Sequence, residues 1–122
     1  MEANKKERIQ KFLTQIQDMC NNLLDNLYTL GNDVDKKCVK GLTYSPLKDI
    51  VYVYCSDEYS GSVLLFELKE QFKDNQVDIK RISSDQVNGN LVIELEFESK
   101  AIIDLNKKEN KTEYKSIDNR HL

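Results

Sequence analysis

Ile9, Leu13, Ile16, Cys20, Leu23, Leu27 and Leu30 come one after another at alternating spacings of four and three residues. No polar residue interrupts either seam position over these three heptads, which predicts a long amphipathic helix with a stripe that must be covered. Asn4, with Glu7 three residues on, has the form of a capping box, and Gly31 directly after Leu30 suits a left-handed cap. The roughly 27 residues between these ends make a rod of about 40 Å at 1.5 Å per residue. Phe12, Met19 and Leu24 lie one position to either side of the seam and widen the apolar face.

The body available to cover that rod is small. The chain has 122 residues, within the span of one domain. Residues 1–31 form the helix, 37–105 a sheet region, and both belong to a single α+β domain over 1–105. Residues 106–122 hold only Tyr114, Ile117 and Leu122 as large apolar side chains and read as a polar, flexible tail.

The segment 32–37 is a polar loop. Cys38–Tyr44 reads as a strand, and Ser45-Pro46-Leu47-Lys48-Asp49 has turn chemistry. Ile50–Cys55 is β-branched or aromatic at nearly every position and is expected to be a central strand covered on both faces. After a polar break at Ser56–Gly61, Leu64, Leu65, Leu68 and Phe72 make the stripe of a second helix over Val63–Lys73. Val77–Ile82 suits an outer strand. Asn88-Gly89 is the preferred dipeptide of a two-residue type I′ hairpin. Leu91, Ile93, Leu95 and Phe97 then alternate with Val92, Glu94, Glu96 and Glu98, as in a half-buried strand with an acidic outer face. Ala101–Leu105 has room for one more short strand. The expected fold is a long N-terminal amphipathic helix and then ββαββ(β), a mostly antiparallel sheet of four or five strands with helices on one face.

Charge and composition narrow the function classes. Lys and Arg total 18 against 21 Asp and Glu, a net charge of −3, which creates no field to attract nucleic acid or an anionic membrane. No stretch approaches the ~20 apolar residues of a membrane span, and the charged opening MEANKKERIQ is not a secretory signal. Cys20, Cys38 and Cys55 are odd in number and fit no metal spacing, so they read as reduced thiols in a cytoplasmic compartment. The sequon at Asn110-Lys111-Thr112 carries no weight without a secretory signal.

Candidate chemistry is sparse. Glu94, Glu96 and Glu98 share one strand face about 6–7 Å apart. They read first as a solvated face and second as an acidic patch for a basic partner, with Lys80 and Arg81 facing them across the hairpin. Asp33-Val34-Asp35 opens like a calcium loop but lacks the downstream Gly and Glu. His121 is the only histidine, which makes a His-based triad or a multi-histidine zinc site impossible or nearly so. Lys36 and Lys37 beside Cys38 suggest a lowered thiol pKa, against the reading of an ordinary strand cysteine. Four glycines provide no phosphate-binding loop, and neither a cofactor nor a small-molecule substrate is indicated.

The length of the first helix carries the functional expectation. A sheet of four or five strands is roughly 19–24 Å wide, so a 40 Å helix overhangs it, and an exposed apolar stripe marks an interaction surface. The chain is therefore expected to be a non-enzymatic adaptor, chaperone or inhibitor that joins a protein partner or a second copy of itself, as a homodimer or hetero-complex. The expected contact residues are Ile9, Phe12, Leu13, Ile16, Cys20, Leu23 and Leu27, with Glu94, Glu96 and Glu98 as a secondary surface. The alternative is a nucleic-acid-binding accessory protein using Lys5, Lys6, Arg8 and Lys11 together with Tyr44, Tyr52 and Tyr54, which would line one face of the first hairpin.

Overall fold

The computed structural model describes residues 2–75 and 79–98, without the side chains of residues 2–4, 74 and 75. Helix α1 (Glu2–Thr29) is succeeded by strands β1 (Val39–Ser45) and β2 (Ile50–Cys55). Helix α2 (Glu58–Asn75) and strands β3 (Ile79–Val87) and β4 (Asn90–Phe97) complete the described chain. The sheet order is β1-β2-β4-β3, and all three neighbouring pairs are antiparallel. Both helices lie on one sheet face, α1 over β1 and α2 over β3 and β4, and they also touch each other. The α+β architecture expected from the sequence is thus present. The additional strand expected at Ala101–Leu105 and the tail at 106–122 lie outside the described residues.

Helix α1 begins at Glu2, so Asn4 lies inside it and does not cap it. Its other end is as expected. Gly31 takes φ +95°, its N–H bonds Tyr28 O at 3.0 Å, and the Asn32 N–H bonds Leu27 O at 3.0 Å. This pair of bonds is a Schellman motif, which only a residue free to adopt positive φ closes without strain.

Beneath α1 the fully buried row is Phe12, Ile16, Cys20 and Leu24, spaced by four throughout. Val51, Val53, Cys55, Leu91, Ile93, Leu95 and Phe97 form the floor, and Leu64, Leu68 and Phe72 of α2 close the side. The Phe97 ring meets Phe12 edge-to-face at 5.0 Å and Phe72 at 6.2 Å, so three elements lock on one side chain.

Helix α2 starts five residues earlier than its apolar pattern suggests. Asp57 is the reason: its Oδ2 accepts the Ser60 N–H at 2.9 Å and the Ser60 hydroxyl at 2.5 Å, an N-cap that turns a polar stretch into the first helical turn. Ser60 is fully buried, and its Oγ accepts the Asp35 N–H at 2.7 Å, which ties the 32–38 loop to the helix start. A Cβ on Gly61 would stand 3.0 Å from Cys55 Cβ and 3.1 Å from Leu91 Cδ2, so the close approach of α2 to β2 and β4 requires glycine. The two hydrogen bonds from Ser60 hold the Asp57 carboxyl below its ordinary 3.8. A carboxyl lowered by folding contributes stability above its unfolded pKa and loses it as pH falls through the folded value. Asp57→Ala is accordingly expected to flatten the acid side of the stability profile, read as denaturation midpoint against pH, and an unchanged acid limb would remove this assignment.

Strand β3 runs on to Val87, past the point where apolar alternation stops. Pairing with β4 overrides the weak strand propensity of Ser83, Ser84, Asp85 and Gln86. The turn between them has φ +53° at Asn88 and +79° at Gly89, as the type I′ hairpin requires. Val77 and Asp78, at the expected start of this strand, lie outside the described residues.

Candidate interaction surfaces

Fully buried positions of α1 run from Phe12 to Leu24, about 18 Å of a helix about 42 Å long at 1.5 Å per residue. At about 100° per residue, Ile9 and Leu27 share the heading of the middle of that row, and Leu30 that of Phe12. Yet Ile9 and Leu27 are only half-buried and Leu30 is 80% exposed. Ile9 and Leu27 pack against the edge of the core and keep part of their surface open, while Leu30 lies just past the end of the helix. Leu13 and Leu23 are half-buried on the two flanks. Leu13 borders a groove with Leu42 of β1, and Leu23 one with Gln71 of α2. Phe12, Ile16 and Cys20, expected as contact residues, are instead consumed by the chain's own sheet and leave no surface to a partner in this state. A helix lying on a sheet packs on its 3.6 period, which moves the buried row off the heptad seam.

The opposite sheet face is open among the described residues. Strand β2 lies centrally as expected, with Val51, Val53 and Cys55 in the core cluster and Ile50 buried on the far face opposite Glu96. Tyr52 is half-buried and Tyr54 is 40% exposed on the far face, where the Tyr54 hydroxyl pairs with Thr43 Oγ1 at 3.2 Å. Coverage on both faces is therefore corrected: a tyrosine counts as apolar in a sequence pattern yet keeps its hydroxyl wet. Tyr44 does not join them. It packs on the helix side against the core, and its hydroxyl donates to Asp49 Oδ1 at 2.8 Å. Burial first, and this bond second, push its pKa up to about 12.

On the open face Tyr52 stands opposite Glu94, Tyr54 opposite Val92, and Arg81 opposite Glu96. Lys80 and Arg81 both reach Glu96, at 3.2 and 3.5 Å, the cross-hairpin pairing expected from the sequence. Glu94 is half-buried, and Glu98, just beyond β4, is exposed. A concavity of about 460 Å³ opens among Tyr52, Tyr54, Val92, Glu94, Asp85 and Lys40, a cluster the strand pattern did not reveal because Asp85 and Lys40 come from the two edge strands.

The basic residues Lys5, Lys6, Arg8 and Lys11 are exposed on the first turns of α1, on the helix side of the sheet. Tyr52 and Tyr54 lie on the other side, so the two groups do not share a surface.

Cys20, Cys38 and Cys55 converge in the core, each at most 1% exposed. Burial pushes the Cys20 thiol up to about 12, with Cys38 adding to the shift. The Cys55 thiol donates a hydrogen bond to the Cys38 sulfur, which holds Cys38 below its ordinary value and Cys55 above. Lowered pKa without access does not make a nucleophile. All three are expected to alkylate far more slowly than free cysteine at neutral pH in the native chain, and fully once it is denatured, as counted by intact mass. Rapid native labelling at Cys38 would restore thiol chemistry as a candidate activity.

Asp33 is exposed, and Asp35 Oδ1 is occupied by the Lys37 N–H at 2.9 Å, an Asx turn. No group of three His, Cys, Asp or Glu among the described residues is placed to hold a metal ion. His121 lies outside the described residues. No described helix is long and apolar enough to cross a membrane. Comparison with protein-family models, with curated proteins and with solved structures finds no match for the chain.

Proposed function

We propose that this chain is a non-enzymatic protein–protein interaction module that self-associates through α1. The observation that supports it is the mismatch along that helix: less than half its length is fully covered, while Ile9, Leu27 and Leu30 keep the heading of the core. Leu13 and Leu23 add apolar surface on the flanks, and Tyr28, 53% exposed, extends the patch at the C-terminal end. Such a patch is sheltered at lowest cost by an identical helix, because a two-fold axis places the same residues on both sides. Sedimentation velocity of the full chain at tens of micromolar is expected to give twice the 14.2 kDa chain mass. A strictly monomeric chain at that concentration overturns self-association.

The placement of its parts favours the interaction module over the nucleic-acid alternative. The basic cluster stands on the sheet face opposite Tyr52 and Tyr54, and Glu94 and Asp85 beside those two tyrosines repel phosphate. A cytoplasmic, reducing compartment remains the setting that suits three unpaired cysteines.

A further inference from the structure

The chain treats two neighbouring carboxylates on the open face differently. Glu96 receives both Lys80 and Arg81. Glu94, two residues away on the same face and half-buried, has no ion pair and no hydrogen bond among the described residues. Partial burial of a charge without a partner is unfavourable, and a cation that reached it would recover that loss.

The surroundings specify which cation. Tyr52 is the cross-strand neighbour of Glu94, and Tyr54 comes next on the same face of β2. Tyrosine rings attract a cation laid over them, a planar guanidinium more than a compact ammonium. Asp85, opposite Val92, is the diagonal neighbour of Glu94, about 7–8 Å away along the backbone. Its Oδ1 accepts the Gln86 N–H at 2.9 Å, which leaves Oδ2 to a ligand. Lys40 belongs to β1, two strands from β4, at the bulge between Val39 and Gly41, whereas Thr43 is the β1 residue level with Glu94; it forms the far rim. The concavity of about 460 Å³ is of the size that takes a side chain with its flanking backbone.

We propose that this concavity binds an arginine side chain presented by an extended peptide of a partner protein, its guanidinium against Glu94 with Tyr52 and Tyr54 beside it. Val92, at the floor, contributes the apolar contact for the arginine stem. The site lies on the face opposite α1, so it stands whether or not the chain dimerises.

The test is a titration of the ¹⁵N-labelled full chain with hexa-arginine at physiological ionic strength, monitored by amide shifts. Shifts are expected to concentrate at Tyr52, Tyr54, Val92 and Glu94. Glu94→Gln is expected to weaken binding about tenfold, as loss of a charge-assisted contact does. Tyr54→Leu is expected to weaken it roughly threefold. Glu70→Gln on the exposed side of α2 removes the same charge elsewhere and is expected to leave affinity unchanged. Hexalysine is expected to bind more weakly than hexa-arginine. Thermal melts of the Glu94→Gln chain are expected to match or exceed the parent, which separates lost binding from lost fold. Shifts spread over all acidic residues, equal loss from Glu94→Gln and Glu70→Gln, equal affinity for hexalysine, or no binding would each overturn the proposal.

Discussion

Phe12→Ala is expected to cost about 3–5 kcal/mol, the range for truncating a large aromatic in a packed core. The side chain has no exposed surface, and its ring closes on Phe97, which closes in turn on Phe72. Its removal therefore loosens α1, β4 and α2 together. At about 4–8 °C for each kcal/mol, the melting temperature should fall by roughly 12–40 °C, a large share of the stability of an ordinary small domain. Leu47→Ala is the control, because this leucine of the β1–β2 turn is 96% exposed and the change should stay within about 0.5 kcal/mol. Thermal melts of the two variants decide it. Equal, small shifts would mean that α1 does not pack on the sheet through Phe12.

The pair Leu27→Lys with Leu30→Lys is expected to have the second largest effect, on assembly more than on folding, since Leu27 touches the core only at its edge. Both positions carry apolar surface toward solvent at the uncovered end of α1. Burying a leucine side chain contributes about 1.5–3 kcal/mol, and every 1.4 kcal/mol is about tenfold in a dissociation constant. Two leucines replaced in each of two copies should raise the dimer dissociation constant well over tenfold. Circular dichroism and the monomer's melting temperature should change little. A variant that sediments like the parent would sink the helix-end contact, whatever the parent's own state.

The sequence disclosed most of this fold through two periods and one dipeptide. The 3.6-period stripes marked both helices, alternation at Leu91–Phe97 marked β4, and Asn88-Gly89 marked the hairpin that sets its register. The errors lie where one residue's chemistry overrides a window average. Asp57 and Ser60 start α2 inside a stretch of turn-like residues. Tyr52 and Tyr54 counted as core because a hydropathy pattern does not see the hydroxyl. The heptad seam named Ile16 and Cys20 as contact residues because periodicity gives the heading of a side chain but not what lies beneath it. The same limit hid the concavity: Glu94 was visible as one of a periodic row, but its lack of a cation, against two for Glu96, depends on where β3 lies beside β4.

The place of β4 between β2 and β3 has a consequence for biosynthesis. The strand that supplies Leu91, Ile93, Leu95 and Phe97 to the floor of the core is the last one described, yet it fills the centre of the sheet. Until Phe97 has left the ribosome, β2 has no inner neighbour and Phe12 has no ring to meet. A nascent chain shorter than that has no β4 to lay beneath Phe12, Ile16, Cys20 and Leu24, so the apolar row of α1 stays uncovered until that strand has emerged.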